Sequence, residues 1–159
     1  MKCVKKFFLQ FIIISFLFFG TVPASPLSGN MTQKETVYVP AYSSIYHSDL
    51  KWKFNLSITL SIHNIDLKNK IIIESIDYYN TAGKLIYNYI KSDKIILNPL
   101  ETYNLGIKET DDRGGIGANF IIKWYSQSKA NRPIIETIMI GTKGQQGISF
   151  TSRGVAIND

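Results

Sequence analysis

The chain has 159 residues and few groups capable of metal or nucleophilic chemistry: two imidazoles, His47 and His63, and one thiol, Cys3. His47 closes the run Tyr42-Ser43-Ser44-Ile45-Tyr46-His47. A loop histidine beside tyrosines can bind a metal, pass a proton or sense pH in the near-neutral range where imidazoles titrate. A zinc or copper centre needs three or four ligands, which two histidines do not supply. The simpler reading of His47 is a side chain that bonds a neighbouring strand and orients its loop. No metal or cofactor is implied. A Ser–His–Asp hydrolase needs a nucleophile within hydrogen-bond reach of a base that a third group orients. Ser43, Ser149 and Ser152 are available as nucleophiles, and Asp77 or Glu136 could orient His47. No strand-to-helix nucleophile elbow accompanies them, and serine-rich loops in strand proteins are commonly turns.

Glu136 is the unusual acid. It falls in phase with Ile134, Ile138 and Ile140, so strand alternation points it toward an apolar face. A buried carboxylate must be paired, hydrogen-bonded or protonated. Arg153 and Lys123 are the candidate partners. The expected role is an ion pair that fastens the tail to the sheet, and the alternative is a pocket carboxylate with a chemical role. Asp111-Asp112-Arg113-Gly114-Gly115-Ile116-Gly117 lacks the alternating acidic spacing of a calcium loop. No helix follows to make its glycines a phosphate cradle. It is expected to be a solvated loop, with glycines for positive φ or close backbone approach.

The elements that position these residues are strands. Phe54, Leu56, Ile58, Leu60 and Ile62 alternate with polar residues through His63, a period of two. Lys70–Tyr79 and Leu85–Ile90 flank the turn Asn80-Thr81-Ala82-Gly83 and predict a hairpin. Short strands are expected at Thr36–Val39, Lys94–Leu97 and Thr102–Lys108. Asn119–Tyr125 puts Phe120, Ile122 and Trp124 on one face, and Ile134–Ile140 is the last long strand. Turn signals at this spacing predict an all-β, immunoglobulin-like antiparallel β-sandwich of about seven or eight strands, with a small open β-barrel as runner-up. Leu97-Asn98-Pro99 and Ala118-Asn119-Phe120-Ile121-Ile122-Lys123-Trp124 resemble the late strands of bacterial immunoglobulin-like domains.

The composition, 45% apolar with 13% aromatic and 19% charged, suits one globular domain and excludes a disordered or collagenous chain. Lys2, Lys5 and Lys6 precede the apolar run Phe7–Phe19, then Gly20, Pro23, Ala24 and Ser25. This is the three-part pattern of a secretory signal peptide, with cleavage expected near Ala24-Ser25. The expected organisation is a signal peptide at 1–24, a flexible lead-in at 25–35 and a single domain at 36–159. Cleavage removes three lysines and lowers the formal charge from +6 to +3. It also removes Cys3, so the mature chain has no thiol chemistry and no disulfide. Such a protein is expected to be exported, to the periplasm or outside the cell. Weak, scattered charge and export argue against nucleic acid. Membrane contact is expected only through the signal segment, were it retained.

Several segments resemble an uncharacterised bacterial family of exported proteins, a domain of unknown function. They are Thr36–His47, Leu60–Asn64, Asp77–Leu85, Gly114–Phe120, Met139–Thr142 and Gln146–Gly154. The likeness spans about Glu35 to Val155. It implies a single exported domain and supplies no catalytic residue or ligand. Some relatives carry a lipoprotein cysteine after the signal, which this chain lacks.

These readings converge on a non-catalytic binding or accessory module that contacts an envelope protein or a small polar ligand. Its expected surface combines the Tyr42–His47 loop with the Gln146–Arg153 segment, and the candidate residues are Tyr42, Tyr46, His47, Glu136 and Arg153. The alternatives are a small hydrolase using His47 with an acidic partner, and a structural component that self-associates through a sheet edge. Intact-mass measurement on protein purified from its host is expected to give a chain beginning at Ser25. A mass beginning at Met1 would refute cleavage.

Overall fold

The computed structural model describes residues 31–142 and 147–158. The expected signal peptide and part of the Gln146–Arg153 segment lie outside them. The strands are β1 (Thr32–Pro40), β2 (Ser44–His47), β3 (Trp52–Asn55), β4 (Ser57–His63), β5 (Ile71–Tyr79), β6 (Leu85–Asn88), β7 (Ile95–Leu97), β8 (Thr102–Ile107), β9 (Asn119–Ala130), β10 (Ile134–Gly141), β11 (Ile148–Arg153) and β12 (Val155–Ile157). One 3-10 turn, Gly115–Gly117, precedes β9. All strand pairs are antiparallel. One sheet runs β12-β1-β9-β5-β6, with β7 also on β5, and a second runs β11-β10-β4-β8. Neither closes into a barrel. The chain is a β-sandwich, divided more finely than the seven or eight strands read from the sequence. β2 and β3 form a separate two-stranded ribbon.

The core follows the period-two pattern. Val37, Val39, Phe120, Ile122 and Trp124 face inward from one sheet, and Ile58, Leu60, Ile62, Ile135 and Met139 from the other; all are buried. In β5 the inward set changes phase, from Ile71 and Ile73 to Ile76 and Tyr78. A bulge between Ile73 and Ser75 causes this, because the extra residue, Glu74, shifts alternation by one. Burying each such side chain contributes roughly 1.5–3 kcal/mol.

Three expectations change. Thr32–Glu35 belong to β1 rather than to a lead-in, because Lys34 and Glu35 pair with Tyr125 and Trp124. The tail forms β11 and β12, one in each sheet. Gly154 joins them, donating its N–H to Ile135 O at 2.8 Å. A side chain there would meet Val37 Cγ1 at 2.7 Å and Ile135 O at 3.1 Å. Finally, β10 buries Ile135, Thr137 and Met139 and turns Glu136 outward. The carboxylate therefore does not face the core. Register sets this phase, with Thr137 opposite Leu60 and Glu136 opposite Ser61.

Buried polar groups tie the layers together. Thr137 Oγ1 donates across the sandwich to Pro40 O at 2.6 Å. Beyond the end of β4, the Asn64 side-chain amide donates to the carbonyls of Asn69, Leu97 and Asn98 at 2.9, 3.1 and 2.9 Å. Its oxygen accepts from Asp66 N–H at 3.0 Å. The Asp66 carboxylate accepts from the backbone of Lys68, Asn69 and Asn131. The Asn131 N–H is the first cause that holds this carboxyl below its ordinary pKa.

Tyr78 generates a pH prediction. Its hydroxyl is buried without a hydrogen bond of ordinary geometry, and burial pushes its pKa up to about 12. The unfolded chain then loses the phenolic proton first. This contribution to stability is intact below pH 10 and drains as pH rises toward about 12. Tyr78→Phe is expected to keep neutral-pH stability and to flatten this alkaline decline, as read by denaturation midpoints across the range. Equal slopes in both proteins would refute it.

Candidate functional site

Ser43 fixes the base of the β2–β3 ribbon. Its N–H donates to Gly115 O at 3.1 Å. Its hydroxyl accepts from Gly115 N–H at 2.7 Å, and its carbonyl accepts from Leu56 N–H at 2.9 Å. Gly115 has φ 76°, a left-handed value that favours glycine. On the other side Thr81 Oγ1 donates to Gly114 O at 3.0 Å and accepts from Gly117 N–H at 2.9 Å. Gly114 lies against the Tyr78 ring, leaving no room for a side chain. The Tyr42–Ser44, Asp77–Gly83 and Gly114–Phe120 segments thus brace one another. Their glycines and hydroxyls hold backbone rather than a ligand.

From that base the ribbon projects as a hairpin. Ile45 pairs with Phe54, Tyr46 with Lys53 and His47 with Trp52. Ile45 and Phe54 pack against the core, and a side chain at Gly141 would collide with the Phe54 ring. Past this anchor the apolar residues lie in solvent: Tyr46 is 42% exposed, Trp52 65% and Leu50 72%. The turn is strained as well. Ser48, Asp49 and Leu50 have φ values of 50°, 56° and 63°, and each such non-glycine residue costs about 1–3 kcal/mol. One bond, Lys51 N–H to Ser48 O at 3.2 Å, closes it. Leu100 shares this backbone and exposure, with φ 63° and 68% exposed, and what distinguishes the hairpin is that Tyr46, Leu50 and Trp52 are gathered on one short ribbon.

The expected site residues divide between two places. Tyr42 packs on Phe150 with ring centroids 5.9 Å apart, so the Tyr42–His47 and Gln146–Arg153 segments do meet at the hairpin base. Tyr46 and His47 lie on the hairpin, with His47 edge-on to Phe54 at 6.2 Å and its Nδ1 3.0 Å from Ser48 Oγ. Glu136 and Arg153 are elsewhere, directly opposite each other on the outer face of β10 and β11. Glu136 is five residues before Gly141, roughly 16 Å along the strand at about 3.3 Å per residue. Lys123 lies in the other sheet. Neither Leu50 nor Trp52 is among the candidates that residue type and spacing single out. Local pattern gave no signal for them, because Leu50 and Trp52 fall in phase with Phe54, Leu56 and Ile58 and alternation alone would place them on the same buried face.

The hydrolase constellation is not assembled. Asp77 accepts from Asn88 Nδ2 at 2.6 Å in the six-stranded sheet, away from His47. The acid near an imidazole is Glu136, 3.9 Å from His63 Nε2. The other nitrogen, His63 Nδ1, is 2.9 Å from Thr102 Oγ1. The neighbouring Ser61 hydroxyl donates to Asn104 at 2.6 Å rather than to His63. Among the described residues no three His, Asp or Glu side chains converge as a metal requires.

A groove of about 1050 Å³ crosses the outer face of the six-stranded sheet. Its charges are largely paired within the chain. Lys94 Nζ is 2.9 Å from Glu74 and 4.8 Å above the Tyr125 ring, and Arg132 is 2.9 Å from Glu35. Burial pushes the Glu35 carboxyl up, against the pull of Arg132. This groove offers a ligand little uncommitted charge, and the hairpin is the stronger candidate.

Comparison with known families assigns the domain. A family model described as "Protein of unknown function (DUF3124)" matches residues 34–157. The chain belongs to that family. No curated protein matches it. The DUF3124 chain is similar to the crystal structure of Thermotoga maritima 1070, with TM-score 0.45 and 12% identity over 79% of this chain and 95% of that one. That likeness is too distant to carry a site across.

If Ser43 sets the hairpin base, Ser43→Ala leaves Gly115 N–H without its side-chain acceptor. The expected cost is about 1–3 kcal/mol, with faster amide exchange at Gly115 and across β2 and β3. A variant that keeps wild-type exchange in the hairpin would refute the assignment.

Proposed function

We propose that this DUF3124 domain is an exported, non-catalytic binding module whose contact surface is the β2–β3 hairpin. The observation that carries the reading is the clustering of Tyr46, Leu50 and Trp52, 42%, 72% and 65% exposed, on one short projecting ribbon. Binding residues commonly sit on loops that a rigid scaffold positions, and the sandwich grips this one at Ser43 and Phe54. Tyrosine and tryptophan are favoured at contact surfaces because each joins a large apolar ring to a polar handle. Export is supported by the basic head and apolar run at Lys2–Phe19, followed by small residues.

The test is photo-crosslinking in the native host. A diazirine amino acid at Lys51 is expected to give adducts, whereas the same probe at Leu67, beyond the far end of β4, is expected to give few. Equal, background labelling from both positions would remove the hairpin as the contact surface.

A further inference from the structure

The chemistry of the tip specifies the kind of partner. We infer that the hairpin is a membrane-interface anchor that seats Leu50 and Trp52 among the headgroups of an anionic lipid bilayer. The inference rests on the hairpin being the contact surface and names what it contacts.

The residues from Tyr46 to Lys53 are Tyr, His, Ser, Asp, Leu, Lys, Trp and Lys. Two lysines flank the tryptophan, and Asp49 is the lone acid. Trp and Tyr rings concentrate at the membrane–water boundary, where an apolar body and a polar edge are both satisfied. Leu50, at the turn, is the most exposed of the three large side chains that the hairpin leaves in solvent and would enter deepest. Lys51 and Lys53 can extend their stems past the apolar residues and place ammonium groups on lipid phosphates.

Shape favours a bilayer over a protein patch. The apolar side chains sit on a narrow ribbon that pairs with neither sheet. A protein hot spot is instead ringed by near-neutral contacts that exclude water. The turn backbone also limits depth. It has one internal bond, from Lys51 to Ser48, and its other polar groups need water. Those groups fit the hydrated headgroup layer and not the hydrocarbon core.

The two tryptophans make the test direct. Trp124 is 1% exposed in the core and Trp52 is 65% exposed at the tip, so lipid-induced changes in emission report Trp52. The mature chain is mixed with phosphatidylcholine vesicles, with and without phosphatidylglycerol. With the anionic vesicles, a blue shift, protection from acrylamide and co-sedimentation that weakens with salt are expected. Leu50→Ser with Trp52→Ser is expected to reduce co-sedimentation roughly tenfold or more. Lys51→Glu with Lys53→Glu is expected to abolish the preference for anionic lipid. Leu67→Ser with Leu100→Ser, at the opposite pole, is expected to bind like wild type, and thermal melts establish that each variant is folded. Absence of vesicle binding by the wild type, or binding untouched by the tip substitutions, overturns the inference. If vesicles fail while the probe at Lys51 captures a protein, the membrane assignment falls and the contact-surface reading stands. If both fail, both fall.

Discussion

The left-handed backbone at Gly115, gripped on one side by Ser43 and flanked by the Thr81 contacts to Gly114 and Gly117, is the constraint on which the hairpin end of the molecule depends. Ser43 gives its amide, hydroxyl and carbonyl to the rest of the fold. The chain leaving β1 is thereby fixed in direction, and the hairpin that follows has a rigid base. A left-handed turn of ordinary residues costs free energy. At the tip it is held from below by Phe54 and Ile45, packed against the core, and by the bonds of Ser43.

The sandwich below is held by ties between its layers as well as by apolar packing. Thr137 reaches Pro40 across the core, and Gly154 carries the chain from one sheet to the other through a gap too narrow for a methyl group. At the opposite pole Asn64 and Asp66 supply loop carbonyls and amides with partners, in buried and part-buried bonds. Such groups make the arrangement specific, since leaving any one unpaired costs about 1–3 kcal/mol. Rigidity at this end and projection at the other suit a scaffold that presents one short element.

The same logic separates decoration from site. Glu136, Arg153 and His63 form a polar cluster on an outer face, where ion pairs between exposed groups contribute little. The groove on the other sheet closes its charges on one another. The hairpin instead gathers three exposed large side chains, Tyr46, Leu50 and Trp52, on one short ribbon, whereas exposed residues such as Leu67 and Ile96 lie apart from it.

The all-β class, the inward faces of Leu56–Ile62 and Phe120–Trp124, and the turn at Asn80–Gly83 were legible in the sequence. There, apolar and polar residues alternate cleanly or a glycine marks the bend. Where alternation blurs, local pattern cannot choose a phase. In Ile134-Ile135-Glu136-Thr137-Ile138-Met139-Ile140 either face could be apolar, and the pairing of Thr137 with Leu60 decided it. β11 and β12 were hidden because they are short runs, six and three residues either side of Gly154, that become strands only when β10 and β1 offer edges to pair with. Leu50 and Trp52 continue the alternation of Phe54 and Leu56, a pattern that by itself would bury them. Residue type and spacing determined by themselves that this chain would bury strands face to face. Only the tertiary structure decided which apolar side chains stay outside, because exposure depends on neighbours distant in sequence.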